Sequence, residues 1–223
     1  MLFEKHWKIC LVVLFTAING GAHAATNEAE QLLEASAKGD TQMVVRLLAQ
    51  GVPVDVRDEQ GNTPLLLATD RNHLEVARAL INASADVNAK NRIHDSAYLL
   101  AGAQGRLDIL SLTLSHGADL KSTNRYGGTA LIPACERGHV KVVKTLLQAG
   151  VDPNHINNLG WTGLLEAILL SNGGPPHQAI VALLIASGAD VNLADAQGVS
   201  PLQHARERGQ AIIADMLVAA NAR

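Results

Sequence analysis

A beat of about 33 residues runs through the chain and leaves few folds open to it. Gly61-Asn62-Thr63-Pro64-Leu65 returns as Ser96-Ala97, as Gly127-Gly128-Thr129-Ala130-Leu131, as Gly160-Trp161-Thr162-Gly163-Leu164 and as Gly198-Val199-Ser200-Pro201-Leu202. Thr63, Ser96, Thr129 and Thr162 are evenly spaced, one period apart at every step. A second marker keeps the same phase, in Ala85-Asp86-Val87-Asn88, Ala118-Asp119, Val151-Asp152-Pro153-Asn154 and Ala189-Asp190-Val191-Asn192. One unit of this length cannot bury an apolar face alone, so registered copies must stack and cover one another.

Each copy predicts a turn followed by two antiparallel helices. The hydroxyl of Thr63 or Ser200 can accept a free backbone N–H, and Pro64 or Pro201 suits the first helical position, where no N–H is needed. Ser96-Ala97, Thr129-Ala130 and Thr162-Gly163 keep the capping residue without the proline. The second helices show as apolar stripes such as Val76, Leu80 and Ile81, or Val142, Val143, Leu146 and Leu147. Gly51, Gly117, Gly150 and Gly188 close them, and Ser84 takes that place in the second copy. The interval from Asp152 to Asp190 exceeds the period by five, so five positions are inserted around Ser171–Pro176. Gly and Pro there predict a longer turn between that copy's helices.

The period, the Thr-Pro-Leu core and the Asp-x-Asn close resemble the ankyrin-repeat family from about Asn27 to the end of the chain. The resemblance implies an all-α solenoid of about six stacked helix-turn-helix units with projecting β-turn loops. An N-terminal capping repeat falls at 25–57 and full repeats at 58–90, 91–123 and 124–156. A repeat with the insertion follows at 157–194, and a C-terminal capping repeat at 195–223. Glu28, Glu30, Gln31 and Glu34 at one end, and Gln203, His204 and Arg206 at the other, supply the polar outer faces that lids require.

The first residues point to export, so that the chain resembles exported (periplasmic) bacterial members of the family. Lys5 and Lys8 precede an apolar run from Ile9 to Ile18, and Ala22-His23-Ala24 offers the small residues of a cleavage site. The run is shorter than the ~20 residues that span a bilayer, so residues 1–24 are read as a signal peptide and the product as periplasmic or secreted. Cleavage removes Lys5, Lys8 and Glu4, leaving 16 basic against 20 acidic residues and a net charge of −4. A mildly acidic body argues against nucleic acid as the partner.

Catalytic and metal signatures are missing from the sequence. There is no HExxH, no CxxC, no Gly-x-Ser-x-Gly and no Gly-Lys-Ser/Thr phosphate loop. His73 and His139 occupy the turn between helices, a structural place, and His94 replaces the glycine that the projecting turn otherwise carries. His116, His155, His177 and His204 are scattered. Cys135 lies on the inner face of a first helix, and a redox role through it would need an exposed, acidified thiol. The reading is therefore no enzyme, no cofactor and no metal.

What remains is a surface. Repeats of this kind offer the tips of the turns and the exposed edge of the first helices to a partner. The turns read Asp58, Glu59, Gln60 and Asn62; Asn91, Arg92, Ile93 and Asp95; Asn124, Arg125 and Tyr126; Asn158, Leu159 and Trp161; Asp195, Gln197 and Val199. Tyr, Trp and Arg most often dominate protein contacts, which singles out Arg92, Arg125, Tyr126, Trp161 and Arg137, and Leu159 on the turn of Trp161 completes the partner-binding set. Along the first helices Asp70-Arg71 and Glu136-Arg137 are sequence neighbours, which do not face each other on a helix. The expected function is a non-enzymatic protein–protein interaction module, with an immunity or inhibitor role toward an envelope toxin or hydrolase as the alternative. A monomer is expected, with weak dimerisation through the apolar last helix as the variant of that reading.

Overall fold

The computed structural model describes residues 27–223; the expected signal peptide at 1–24 lies outside them. Among the described residues twelve helices form six antiparallel pairs. They are α1 (27–38) with α2 (Thr41–Ala49), α3 (Pro64–Asp70) with α4 (Leu74–Asn82), and α5 (Ala97–Ala103) with α6 (Leu107–Ser115). Then come α7 (Leu131–Glu136) with α8 (Val140–Ala149), α9 (Gly163–Leu169) with α10 (Pro175–Ala186), and α11 (Pro201–Glu207) with α12 (Ala211–Ala219). Among the described residues there is no strand. First helices pack on first helices of the next pair and second on second: α3 on α5, α5 on α7, α7 on α9, and likewise α4 on α6 and α6 on α8. One apolar core therefore runs the length of the row, through Leu32, Leu65, Leu80, Ile109, Leu131, Leu146, Leu164, Ile180 and Leu217. The solenoid expected from the period is the observed architecture.

The starts of α3, α5, α7, α9 and α11 follow the capping logic with one exception. Thr63, Ser96, Thr162 and Ser200 accept the N–H groups of Leu66, Leu99, Leu165 and Gln203 at 3.2–3.3 Å. In those four units the backbone carbonyl of the capping residue also takes the N–H four residues on, from Leu67, Leu100, Glu166 and His204. In the fourth unit that position is Pro133, which has no N–H. The Thr129 carbonyl takes the Ile132 N–H instead, at 3.2 Å, α7 starts late at Leu131, and Thr129 Oγ1 is buried without a partner. The expected side-chain cap does not form there.

The insertion in the fifth unit is divided between turn and helix, which corrects the expectation of a longer turn alone. From Thr162 to the α10 N-cap Gly174 the chain is two residues longer than from Thr129 to His139, the N-cap of α8. From Gly174 to Gly188 it is three residues longer than from His139 to Gly150. Two of the inserted residues therefore widen the turn and three lengthen the segment of α10. Pro175 and Pro176 occupy its opening positions, where a missing N–H costs nothing. They start this helix rather than holding it off.

Histidines at the start of the second helix fasten the second, fourth and fifth units to the ones before. His73 Nε2 lies 3.2 Å from the Ala37 carbonyl and His177 Nε2 2.9 Å from that of Glu136. Gln210 Nε2 donates to the Ile168 carbonyl at 2.9 Å in the same way. The His139 ring bonds the Ala103 carbonyl, and burial, then Arg137, lower its affinity for a proton. His177 is thus not scattered. It follows His139 by the same lengthened interval that separates Asp190 from Asp152.

Candidate partner-binding surface

Five turns project from the row, at Asp58–Asn62, Asn91–Asp95, Asn124–Gly128, Asn157–Trp161 and Asp195–Val199, and all are built alike. The side-chain oxygen of the first residue accepts the N–H groups two and four residues on, at 2.8–3.1 Å. Its own N–H donates to the carbonyl of the fifth residue. The fourth residue must adopt positive φ, which Gly127 does at 73° and His94, with a side chain, at 64°. So constrained, the third residue stands out from the turn.

That third position reads Gln60, Ile93, Tyr126, Leu159 and Gln197 along the row. Ile93, Tyr126 and Leu159 remain 46%, 59% and 55% exposed. Three consecutive units therefore carry an apolar tip, and a glutamine bounds the series at either end. Arg92 and Arg125 each precede a tip. Arg125 Nη2 lies 3.8 Å from Asp95, and its guanidinium sits 5.4 Å from the Tyr126 ring centroid. Burial raises the Asp95 carboxyl above its usual range, with Arg125 and then His94 drawing it down. The tips are tied from behind: the Arg92 N–H donates to the Gln60 carbonyl at 3.0 Å, and the Asn158 N–H to that of Tyr126 at 2.9 Å.

Of the six residues expected at the surface, Arg92, Arg125, Tyr126 and Leu159 share this edge. Trp161 closes the fifth unit's turn, half-buried. Arg137 lies exposed at the end of α7, but its Nη1 donates to the Ala103 carbonyl at 2.8 Å and so serves the stack. Asp70 and Arg71 do meet, Oδ2 to Nε at 3.5 Å, contrary to the expectation. Arg71 caps the end of α3, where helical spacing no longer separates neighbours. Asp70 also accepts the Gln104 side-chain amide at 2.9 Å, so this helix edge is occupied by bonds between units. Ile93 stands on the same edge and was not among the expected residues, although it falls one period before Tyr126, which in turn falls one period before Leu159.

Beneath the fifth unit's turn lies a buried carboxyl. Asn157 Nδ2 donates to Glu166 Oε1 at 2.8 Å, and Glu166 is only 6% exposed. Burial and then the like charge of Glu136 push its pKa up to about 7, against the pull of the Asn157 bond. The next unit repeats the clasp with other chemistry, His204 Nε2 to Asp195 Oδ2 at 2.7 Å. Cys135, by contrast, is fully enclosed. Burial, then Glu166, raise its thiol pKa, the reverse of what a reactive thiol needs. Among the described residues no group of His, Cys, Asp and Glu could hold a metal ion, and no helix is long and apolar enough to cross a membrane.

The ankyrin-repeat family model matches residues 9–91 and 93–195. An ankyrin repeat protein of Escherichia coli (strain K12), YahD, is 42% identical over 191 residues, covering 85% of this chain and 95% of that protein. The crystal structure of an ankyrin repeat domain from Acinetobacter baumannii AYE is 59% identical, with a TM-score of 0.84 over 86% of this chain and 98% of that one. The ankyrin repeat domain of Bcl-3, a member of the IkappaB protein family, is 29% identical with a TM-score of 0.78, covering 86% of both chains. Repeat period, stacked helix pairs and these likenesses agree: the chain belongs to the ankyrin-repeat family, whose repeats are protein-interaction modules.

Proposed function

We propose that this chain is a non-enzymatic binding module, exported to the periplasm, that docks a protein partner on Arg92, Ile93, Arg125, Tyr126 and Leu159. The observation that carries the reading is the run of three exposed apolar tips in consecutive units. Each is held on a turn whose backbone is bonded internally, so little conformational entropy is lost on binding. Tyr126 and its arginine neighbours are residue types that concentrate binding energy at protein contacts. Export rests on Lys5 and Lys8, the apolar run from Ile9 to Ile18 and the small residues Ala22 and Ala24.

Two measurements test the proposal. A mature N-terminus at Ala25 in the periplasmic fraction supports export, whereas a chain that keeps Met1 in the cytosol ends it. For the surface, the protein and an Ile93→Asp, Tyr126→Asp, Leu159→Asp variant are used side by side as bait for envelope proteins. The variant should lose its specific partner at least tenfold while keeping its helical circular dichroism. Undiminished capture would remove the tips from the interface. One-to-one capture with loss of the partner's own activity would mark the inhibitor form of the same reading.

A further inference from the structure

The tips carry information about the shape of what they hold. They recur once per unit, and the step between units is that of helix packed on helix, ~8–10 Å. A ligand that meets all three must present apolar groups on one face with a matching step. In an α-helix, residues seven apart lie nearly two full turns on, ~10.5 Å along the axis, which projects to ~10 Å on a row crossed at ~20°. Their drift around the axis is ~20° per heptad, small beside an apolar stripe ~100° wide. In a strand, same-face residues come ~6.7 or ~13 Å apart, and neither fits. A polyproline helix returns every ~9.3 Å, but its recognition uses aromatic-lined grooves. Here the tips form a ridge on which Tyr126 alone is aromatic.

Charge adds a second requirement. Arg92 and Arg125 precede two of the tips and repeat with the same step, so the ligand needs carboxylates flanking its apolar residues at that interval. The Arg125–Asp95 separation of 3.8 Å leaves the guanidinium room to bond a second carboxylate. Among the described residues Arg92 enters no salt bridge. The polar tips Gln60 and Gln197 limit the apolar contact to three units and two steps, which is ~15 residues of helix.

We infer, on the reading that these tips bind a protein, that the bound element is an amphipathic α-helix of the partner. It lays apolar side chains seven residues apart on Ile93, Tyr126 and Leu159, with acidic residues facing Arg92 and Arg125.

The test uses full-length protein carrying a photoreactive p-benzoyl-phenylalanine at position 93, 126 or 159 in turn, with position 212 on α12 as a control. Each is irradiated in whole-cell extract of the source organism, and the cross-linked sites on the captured protein are mapped. The inference expects adducts from all three tips within one helical segment, stepping by about seven residues from tip to tip. Arg92→Glu combined with Arg125→Glu should lower the yield about fivefold, as two solvent-facing ion pairs would. Steps of three residues, alternation by two or four, or sites scattered over separate segments would overturn the helix while leaving the docking surface in place. No adduct beyond the control at any tip would remove the surface and the helix together.

Discussion

His94 shows what a single side chain can do against its own backbone. It holds φ at 64° in the turn position that Gly61, Gly127, Gly160 and Gly198 fill elsewhere. The left-handed conformation costs a residue with a Cβ ~1–2 kcal/mol, partly offset by glycine's greater freedom when unfolded. His94→Gly should therefore raise stability by ~0.5–1 kcal/mol, read from the denaturant midpoint. Glu166 makes a different demand. Its pKa in the folded chain, about 7, exceeds that of an unfolded glutamate, ~4.3. The folded state therefore binds the extra proton, and this group's stabilisation is full below pH ~4.3 and is lost as pH rises to about 7. Glu166→Gln keeps an acceptor for Asn157 and removes the charge. Allowing for solvent screening at its rim, the variant should be more stable at pH 8 by ~1–2 kcal/mol, with little difference at pH 4.5. Equal stability at both pH values would show that the carboxyl is not strained.

At the scale of the helix, the fourth unit separates two capping residues that look alike in the sequence. Thr63→Ala should destabilise by ~1 kcal/mol, since it removes a bonded cap. Thr129→Ala should cost less than half as much, because its hydroxyl is buried unbonded. Urea melts of the two variants check the difference. The helix pairs and their order were legible because period and apolar stripe recur together along the row. Thr129 was misread although the cause, Pro133, stands in the sequence four residues on. The length of α10 was misread because Pro175 and Pro176, unlike Pro64 and Pro201, were taken as breakers, whereas they too begin a helix. On the exposed edge, residue type had pointed to Arg92, Arg125 and Tyr126, and turn position to Leu159. The repeat interval would have added Ile93. The tether on Arg137 and the clasp on Glu166 depend on which groups neighbouring units bring close, and no interval within the chain announces them.

Across the whole molecule, ladders of side chains bond each unit to the next. Asp55 accepts the Asp86 N–H, Asn88 that of Asp119, Asn154 that of Asp190 and Asn192 that of Arg223. Arg57 donates to the Lys90 carbonyl and Lys90 to that of Thr123. Both series are interrupted at the same place, and only the first resumes beyond it, at Asn154. Lys121 stands where asparagine would bond Gly150 and Asp152, Thr123 is too short to carry on, and no backbone bond joins the turns of Asn91 and Asn124 among the described residues. The junction between the α5–α6 and α7–α8 pairs rests on helix packing, the tethers of Arg137 and His139 on the Ala103 carbonyl, and the Arg125–Asp95 pair. Lys121→Asn should restore the missing rung and add ~1 kcal/mol, with slower amide exchange on both sides of the junction. Ile93 and Tyr126 stand on opposite sides of this seam. A partner laid across both fingertips would splint this joint, and stilling it would subtract from the grip an ordering cost that a fully stitched seam would have met beforehand.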